Sequence, residues 1–210
     1  MMLLREKSYY HIYHRGIDKR VLFRIESDYH HFLNKYQYYL FITVETYAFC
    51  LLKNHIHLLV RVRSVEEQRN LVKQLKRKKI SELCGLDYIE FKIQSASKQF
   101  GHLFNSYTKY FNKKYERSGV LYDGRFKRIE IDSEEYLTQL ICYIHRNPIH
   151  HGITAEYTSY PYSSYNEIFS REKSFINKTK VFEWMGNKEN FTEAHEEFKK
   201  KLDERYFLEE

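Results

Sequence analysis

Proline and glycine are scarce, with 2 and 7 copies among 210 residues. That excludes a proline-rich spacer, a collagen-like repeat and a long glycine-rich tether. Cysteine is nearly as rare. Cys50, Cys84 and Cys142 are odd in number, far apart and form no Cys-x-x-Cys pair, so neither a disulfide framework nor a zinc knuckle is expected. No apolar run approaches the ~20 residues a membrane-spanning helix needs. The opening Met-Met-Leu-Leu-Arg-Glu-Lys is too short and too charged for a secretory leader. No internal repeat is visible. The expectation is a cytoplasmic protein of one-domain size, whose 42% hydrophobic residues suffice for a core.

Tyrosine is abundant, with 20 copies beside 15 phenylalanines. AT-rich coding bias raises Tyr, Phe, Ile, Lys and Asn together, and tyrosine can also stack on bases or donate to phosphates. The net charge of +7 points to an anionic partner, nucleic acid first. A membrane surface is disfavoured, because the basic segments lack a long apolar face.

The stretch Asn54-His55-Ile56-His57-Leu58-Leu59-Val60 is a short apolar run with histidines at alternate positions. As a β-strand it places His55 and His57 on one face and Ile56 and Leu58 on the other. Side-by-side imidazoles on a rigid strand can hold a divalent metal, although ordinary sheet histidines also satisfy the pattern. Around it, Ser8–Arg15 reads as a first strand ended by Gly16, Ser27–Leu40 as a helix with Ser27-Asp28 at its N-cap, and Val44–Leu52 as a second strand. The Lys53-Asn54 turn then makes a hairpin with the His-x-His strand. Strand, helix and hairpin form the first half of a β-α-β-β-α-β unit.

Two basic segments follow. Arg61 to Lys79 holds eight basic residues against Glu66 and Glu67. Leu71, Val72, Leu75 and Ile80 give it the apolar stripe of a basic helix. Gln99 to Arg128 interleaves Phe100, Leu103, Phe104, Tyr107, Phe111 and Tyr115 with Lys109, Lys113, Lys114 and Arg117. It then turns at Asp123-Gly124 into a last strand, Phe126–Ile131. Basic residues among aromatics can follow a phosphate backbone and stack bases. Arg61, Arg63, Lys109, Lys113, Arg125, Lys127 and Arg128 are the candidate DNA contacts.

Asp132-Ser133-Glu134-Glu135 opens another helix, with a cap followed by acids in the first turn. Leu137, Leu140, Ile141 and Ile144 form its buried stripe, and Pro148 is expected to end it after Asn147. Tyr143 and Asn147 are four residues apart and share a face. His145, His150 and His151, near that helix end, are alternative additional ligands, but are read first as solvent-facing or carbonyl-contacting. Beyond residue 166, Val181–Gly186 and Phe191–Leu202 read as short helices. Asn187–Glu210 carries eight acids and five bases, so its charge does not suit a further DNA-binding arm.

In combination, Asn-His-Ile-His-Leu-Leu-Val, Gly-Arg-Phe-Lys, Tyr-Ile-His-Arg-Asn-Pro-Ile-His-His-Gly and Tyr-Pro-Tyr-Ser-Ser-Tyr resemble the single-tyrosine HUH transposases of bacterial insertion sequences. They resemble the REP-associated tyrosine transposase branch most. The resemblance covers about residues 8–166. It implies an α+β fold: a ferredoxin-like antiparallel sheet with helices on one face, in a catalytic domain 1–166, followed by a helical extension 167–210. It places metal ligands at His55, His57 and Asn147, the nucleophile at Tyr143, and Mg²⁺ or Mn²⁺ as cofactor. The implied partner is single-stranded or hairpin DNA, met by a monomer or homodimer in the cytoplasm, at the nucleoid. The activity implied is cleavage and strand transfer through a 5′-phosphotyrosine. The alternative is a domesticated protein that binds hairpins without cutting them.

Overall fold

The structure, a computed structural model, describes residues 3–77 and 93–200. Cys84, the Lys78-Lys79-Ile80 end of the expected basic helix and the stretch from 201 onward lie outside the described residues.

Four strands form the sheet: β1 (Tyr9–Arg15), β2 (Val44–Leu52), β3 (His55–Val62) and β4 (Lys127–Ile131). Their order is β2-β3-β1-β4 and every neighbouring pair is antiparallel. Helix α1 (Glu26–Leu40) joins β1 to β2, and α2 (Val65–Arg77) and α3 (Ala96–Lys114) lie between β3 and β4. This is the expected ferredoxin-like arrangement. Helix α4 (Glu134–His150) follows, then α5 (Tyr165–Phe169), α6 (Lys178–Met185) and α7 (Lys188–Lys200).

Strand alternation sorts the side chains. Tyr10 lies opposite Val60 and Ile12 opposite Leu58, so these share one face; Tyr13 lies opposite His57 and Arg15 opposite His55, on the other. The two ferredoxin-like helices cover the first face. Tyr36 of α1 meets Thr46 of β2 through their hydroxyls at 2.7 Å. Phe104 of α3 packs edge-on against His14 at 4.6 Å, and Phe32 meets Tyr107 between the helices. Helix α4 lies across the second face, packed on β2 and β3. Leu137, Leu140, Ile141 and Ile144 are all buried, as their spacing predicts.

The boundaries of α1 and α4 differ from expectation. Ser27-Asp28 does not cap α1, which begins at Glu26; Asp28 sits inside the first turn and accepts from the backbone N–H groups of Arg24 (2.9 Å) and Ile25 (3.3 Å). Helix α4 runs through Pro148 to His150. So near the end a proline forfeits only its own N–H bond, and the His151 N–H continues the ladder to the Asn147 carbonyl at 3.0 Å. Ser133 caps the start, accepting from the Tyr136 N–H at 3.2 Å.

The extension packs onto the core. Ile176, Val181, Met185 and Phe191 join the same buried cluster as the sheet. The open edge at β2 is covered as well: the Leu51 N–H donates to the Tyr162 carbonyl, the Ser164 N–H to Phe49 and the Asn177 N–H to Thr46. A bare edge strand would invite pairing with another chain.

Candidate metal and nucleophile site

His55 and His57 project from β3 toward α4, their ring centroids 5.0 Å apart. Each ring is held at Nδ1. Asn54 Oδ1 lies 2.7 Å from His55 Nδ1, and His11 Nε2 lies 3.1 Å from His57 Nδ1. The accepting Asn54 oxygen fixes the His55 proton on Nδ1 and leaves its Nε2 for coordination, and His57 presents Nε2 in the same way when His11 Nε2 is the acceptor. Burial pulls His55 down to about 3, with the nearby His151 and Arg15 acting in the same direction. Burial likewise holds His57 well below its ordinary value. Both rings are therefore neutral at physiological pH, the form a metal requires.

Helix α4 supplies the rest. The half-buried Tyr143 ring stands edge-on to His57 at 5.8 Å and to His11 at 5.9 Å. One turn later, the buried Asn147 donates from Nδ2 to the Tyr143 carbonyl at 2.9 Å and contacts the His55 ring by a hydrogen bond. With its proton on Nδ1, His55 would offer Nε2 to a cation, and Asn147 its amide oxygen. Among the described residues no three His, Cys, Asp or Glu side chains are grouped to hold an ion; the set here is two imidazoles and an amide. Of these donors the amide oxygen is the one that would suit Mg²⁺ or Mn²⁺.

The structure thus brings His55, His57, Tyr143 and Asn147 together. Around them it sets residues that the sequence reading left outside the site or, for His151, held only as an alternative ligand. His11 orients His57, Asn54 orients His55, Tyr13 stacks on His57 at 6.3 Å, and His151 packs against His55 at 4.9 Å. The alternation of β1 holds part of the signal, since His11 and Tyr13 share parity. Only the register Tyr13 opposite His57 places them against the pair.

The candidate DNA contacts divide. Lys127 lies opposite Tyr13 on β4, with Nζ 5.8 Å from that ring, on the site's face. Arg125 is exposed in the turn before β4, at the His55 end of the sheet. Arg128 points to the opposite face, and Lys109 and Lys113 are exposed on α3. Arg61 and Arg63 depart from expectation, because β3 continues to Val62 and the basic helix starts only at Val65. Arg61 pairs with Glu45 (3.2 Å) and Glu67 (2.9 Å). Arg63 is largely enclosed, donating to the Phe41 and Val44 carbonyls. Both guanidiniums are taken up by internal partners, with Arg61 ~13 Å along the strand from His57. His145 also departs: it is a fully buried helix residue, 2.8 Å from His195 and 2.7 Å from Ser164 Oγ.

No protein-family model matches the chain. A Haemophilus influenzae protein named as a REP-associated tyrosine transposase is 28% identical over 131 residues, 61% of this chain. The match spans 62% of that relative, less than two thirds of its length. Among solved structures, that of a REP-associated tyrosine transposase bound to a REP hairpin aligns with a TM-score of 0.57 at 12% identity. It covers 83% of this chain and 86% of the other. At that identity the likeness is one of fold.

Proposed function

We propose, for a chain that resembles the REP-associated tyrosine transposases in sequence and in fold, a metal-dependent single-stranded DNA endonuclease and strand transferase acting at hairpin-associated sites. The observation that carries this reading is the placing of Tyr143 and Asn147, one turn apart on α4, against the His55–His57 pair. His55, His57 and Asn147 are the residues that would hold Mg²⁺ or Mn²⁺. The ion, when bound, neutralises charge on the non-bridging oxygens of the scissile phosphate.

The chain's own residues do the rest. A phenol with an unperturbed pKa of ~10 is a weak nucleophile, so its placement matters more than its acidity. Tyr143 is held by the helix with its ring edge against His11 and His57. Its Oη attacks phosphorus, forming a 5′-phosphotyrosine. The bond from phosphorus to the 3′ oxygen breaks, the phenolic proton passes to water, and water returns a proton to the leaving oxygen, which departs as a 3′-OH. Attack of a 3′-OH on the phosphotyrosine reverses the chemistry and joins strands. The protein acts in the cytoplasm, as monomer or homodimer.

Labelled hairpin DNA with a single-stranded flank, incubated with protein and Mn²⁺ and run on a denaturing gel, tests this directly. Wild type is expected to give a protein–DNA adduct. Tyr143→Phe is expected to bind but give none. Cleavage without an adduct would assign the chemistry to water instead, and binding without cleavage would leave a hairpin-binding protein.

A further inference from the structure

A cleft of about 600 Å³ opens at the His55 end of the sheet, lined by Lys19, Arg20, Arg24, Lys53 and Arg117 around the Phe111 ring. The cations come from three separated segments: the loop after β1, the β2–β3 turn, and the chain just past α3. No acidic side chain lines the cleft, and none of the five cations is ion-paired among the described residues. Arg5 and Arg61 differ: Arg5 pairs with Glu130, and Arg61 with Glu45 and Glu67. Gathering like charges without a counter-charge is unfavourable, and an anion in the cleft relieves it.

The guanidiniums are aimed rather than splayed. Arg24 lies over the Tyr115 ring at 4.3 Å and Phe111 at 5.4 Å, and Arg117 lies over Phe111 at 5.7 Å. Arg117 Nη2 donates to the Val120 carbonyl at 3.0 Å. Its buried Nη1 meets no acceptor among the described residues, an unmet donor of the kind phosphate oxygens satisfy.

The cleft is also tied to the metal-ligand histidines. Asp18 and Lys19 have φ of 53° and 57°, a left-handed backbone rare for such residues. A Cβ on Gly16 would meet the Arg20 carbonyl at 2.0 Å. This tight loop is pinned to the turn that precedes His55. The Gly16 N–H donates to the Asn54 carbonyl and the Leu22 N–H to that of Lys53, both at 2.8 Å. Asn54 is the residue that holds His55 Nδ1.

We infer that this cleft seats backbone phosphates of the single-stranded DNA flank, so that the strand passes over the Lys53-Asn54 turn and delivers its scissile phosphate to Tyr143. The inference rests on the function proposed above and specifies how that site receives its substrate. Arg20 and Lys53 are exposed, so their neutralisation leaves the core untouched.

The test is fluorescence anisotropy with a hairpin oligonucleotide carrying a single-stranded flank, over a range of salt concentrations. Arg20→Gln with Lys53→Gln removes two phosphate contacts. The salt slope is expected to fall by about 1.4 and affinity at 0.1 M salt by about 25-fold. Methylphosphonates in the flank should weaken wild type but leave this variant indifferent. Wild-type affinity and slope in the variant would overturn the inference. So would an equal loss in Lys98→Gln with Lys188→Gln, two exposed lysines outside the cleft. Because binding is read without cleavage, the two readings fail separately. Cleft-dependent binding with no adduct sinks the enzyme alone, and an adduct with cleft-independent binding sinks the cleft alone.

Discussion

His57 has one ring nitrogen 3.1 Å from His11, and that contact decides which atom it presents to a ligand. An orienting partner behind a metal-binding imidazole commonly contributes 10–100-fold in affinity. His11→Ala is therefore expected to weaken Mn²⁺ binding by about that factor in titration calorimetry, while far-UV circular dichroism stays unchanged; unchanged affinity would remove His11 from the site. His14 makes a contrasting case on the same strand. It faces the other way, buried between Phe104 and the stacked Tyr122 ring at 4.3 Å, and burial pulls it to about 4. Its folded-state value lies below the unfolded one, so the folded chain binds fewer protons and loses stability as pH falls below ~6.5 toward 4. Such a ring costs about 2 kcal/mol between pH 7 and pH 5. Urea unfolding of wild type and His14→Phe at the two values isolates it, since the other buried histidines contribute to both, and the variant is expected to lose less stability. The two histidines were alike as letters. Alternation separates them by face, but only the strand register shows which one meets His57.

At the level of elements, α4 carries both the proposed nucleophile and the third ligand candidate, so whatever fixes α4 fixes the proposed site. One side rests on β2 and β3, and the other receives α7. There His195 bonds His145 at 2.8 Å, its Nδ1 donates to the Phe191 carbonyl at 2.7 Å, and Tyr157 donates to the His195 carbonyl at 2.8 Å. Phe191 itself is fully buried. Phe191→Ala is expected to cost about 3–5 kcal/mol, read as a lower midpoint in thermal unfolding, with residual adduct formation falling in parallel. A wild-type midpoint would mean that the extension does not brace α4. The strands, α1, α3 and the start of α4 were legible from alternation, helical spacing and the Ser133 cap. The seat of α7 was not. Its acid-rich composition describes the solvent side, while the contacts that matter lie about fifty residues away in the chain.

Across the whole molecule, the net charge of +7 points to an anionic partner without saying where it would sit. Arg61 and Arg63 looked available because their acceptors, Glu45 and the Phe41 and Val44 carbonyls, come close only once β2 pairs with β3. The converse holds for Arg20, Lys53 and Arg117, ordinary in sequence and gathered only by the fold. What the residues disclosed unaided was the pair His55 and His57, and the shared face of Tyr143 and Asn147. Folding sets those pieces against each other. The most direct test is to digest the covalent complex formed with hairpin DNA and Mn²⁺ and locate the nucleotide-bearing tyrosine by mass spectrometry. The account predicts a phosphodiester on Tyr143 and on none of the other tyrosines. A modified tyrosine elsewhere, or cleaved DNA with no modified tyrosine, would contradict it.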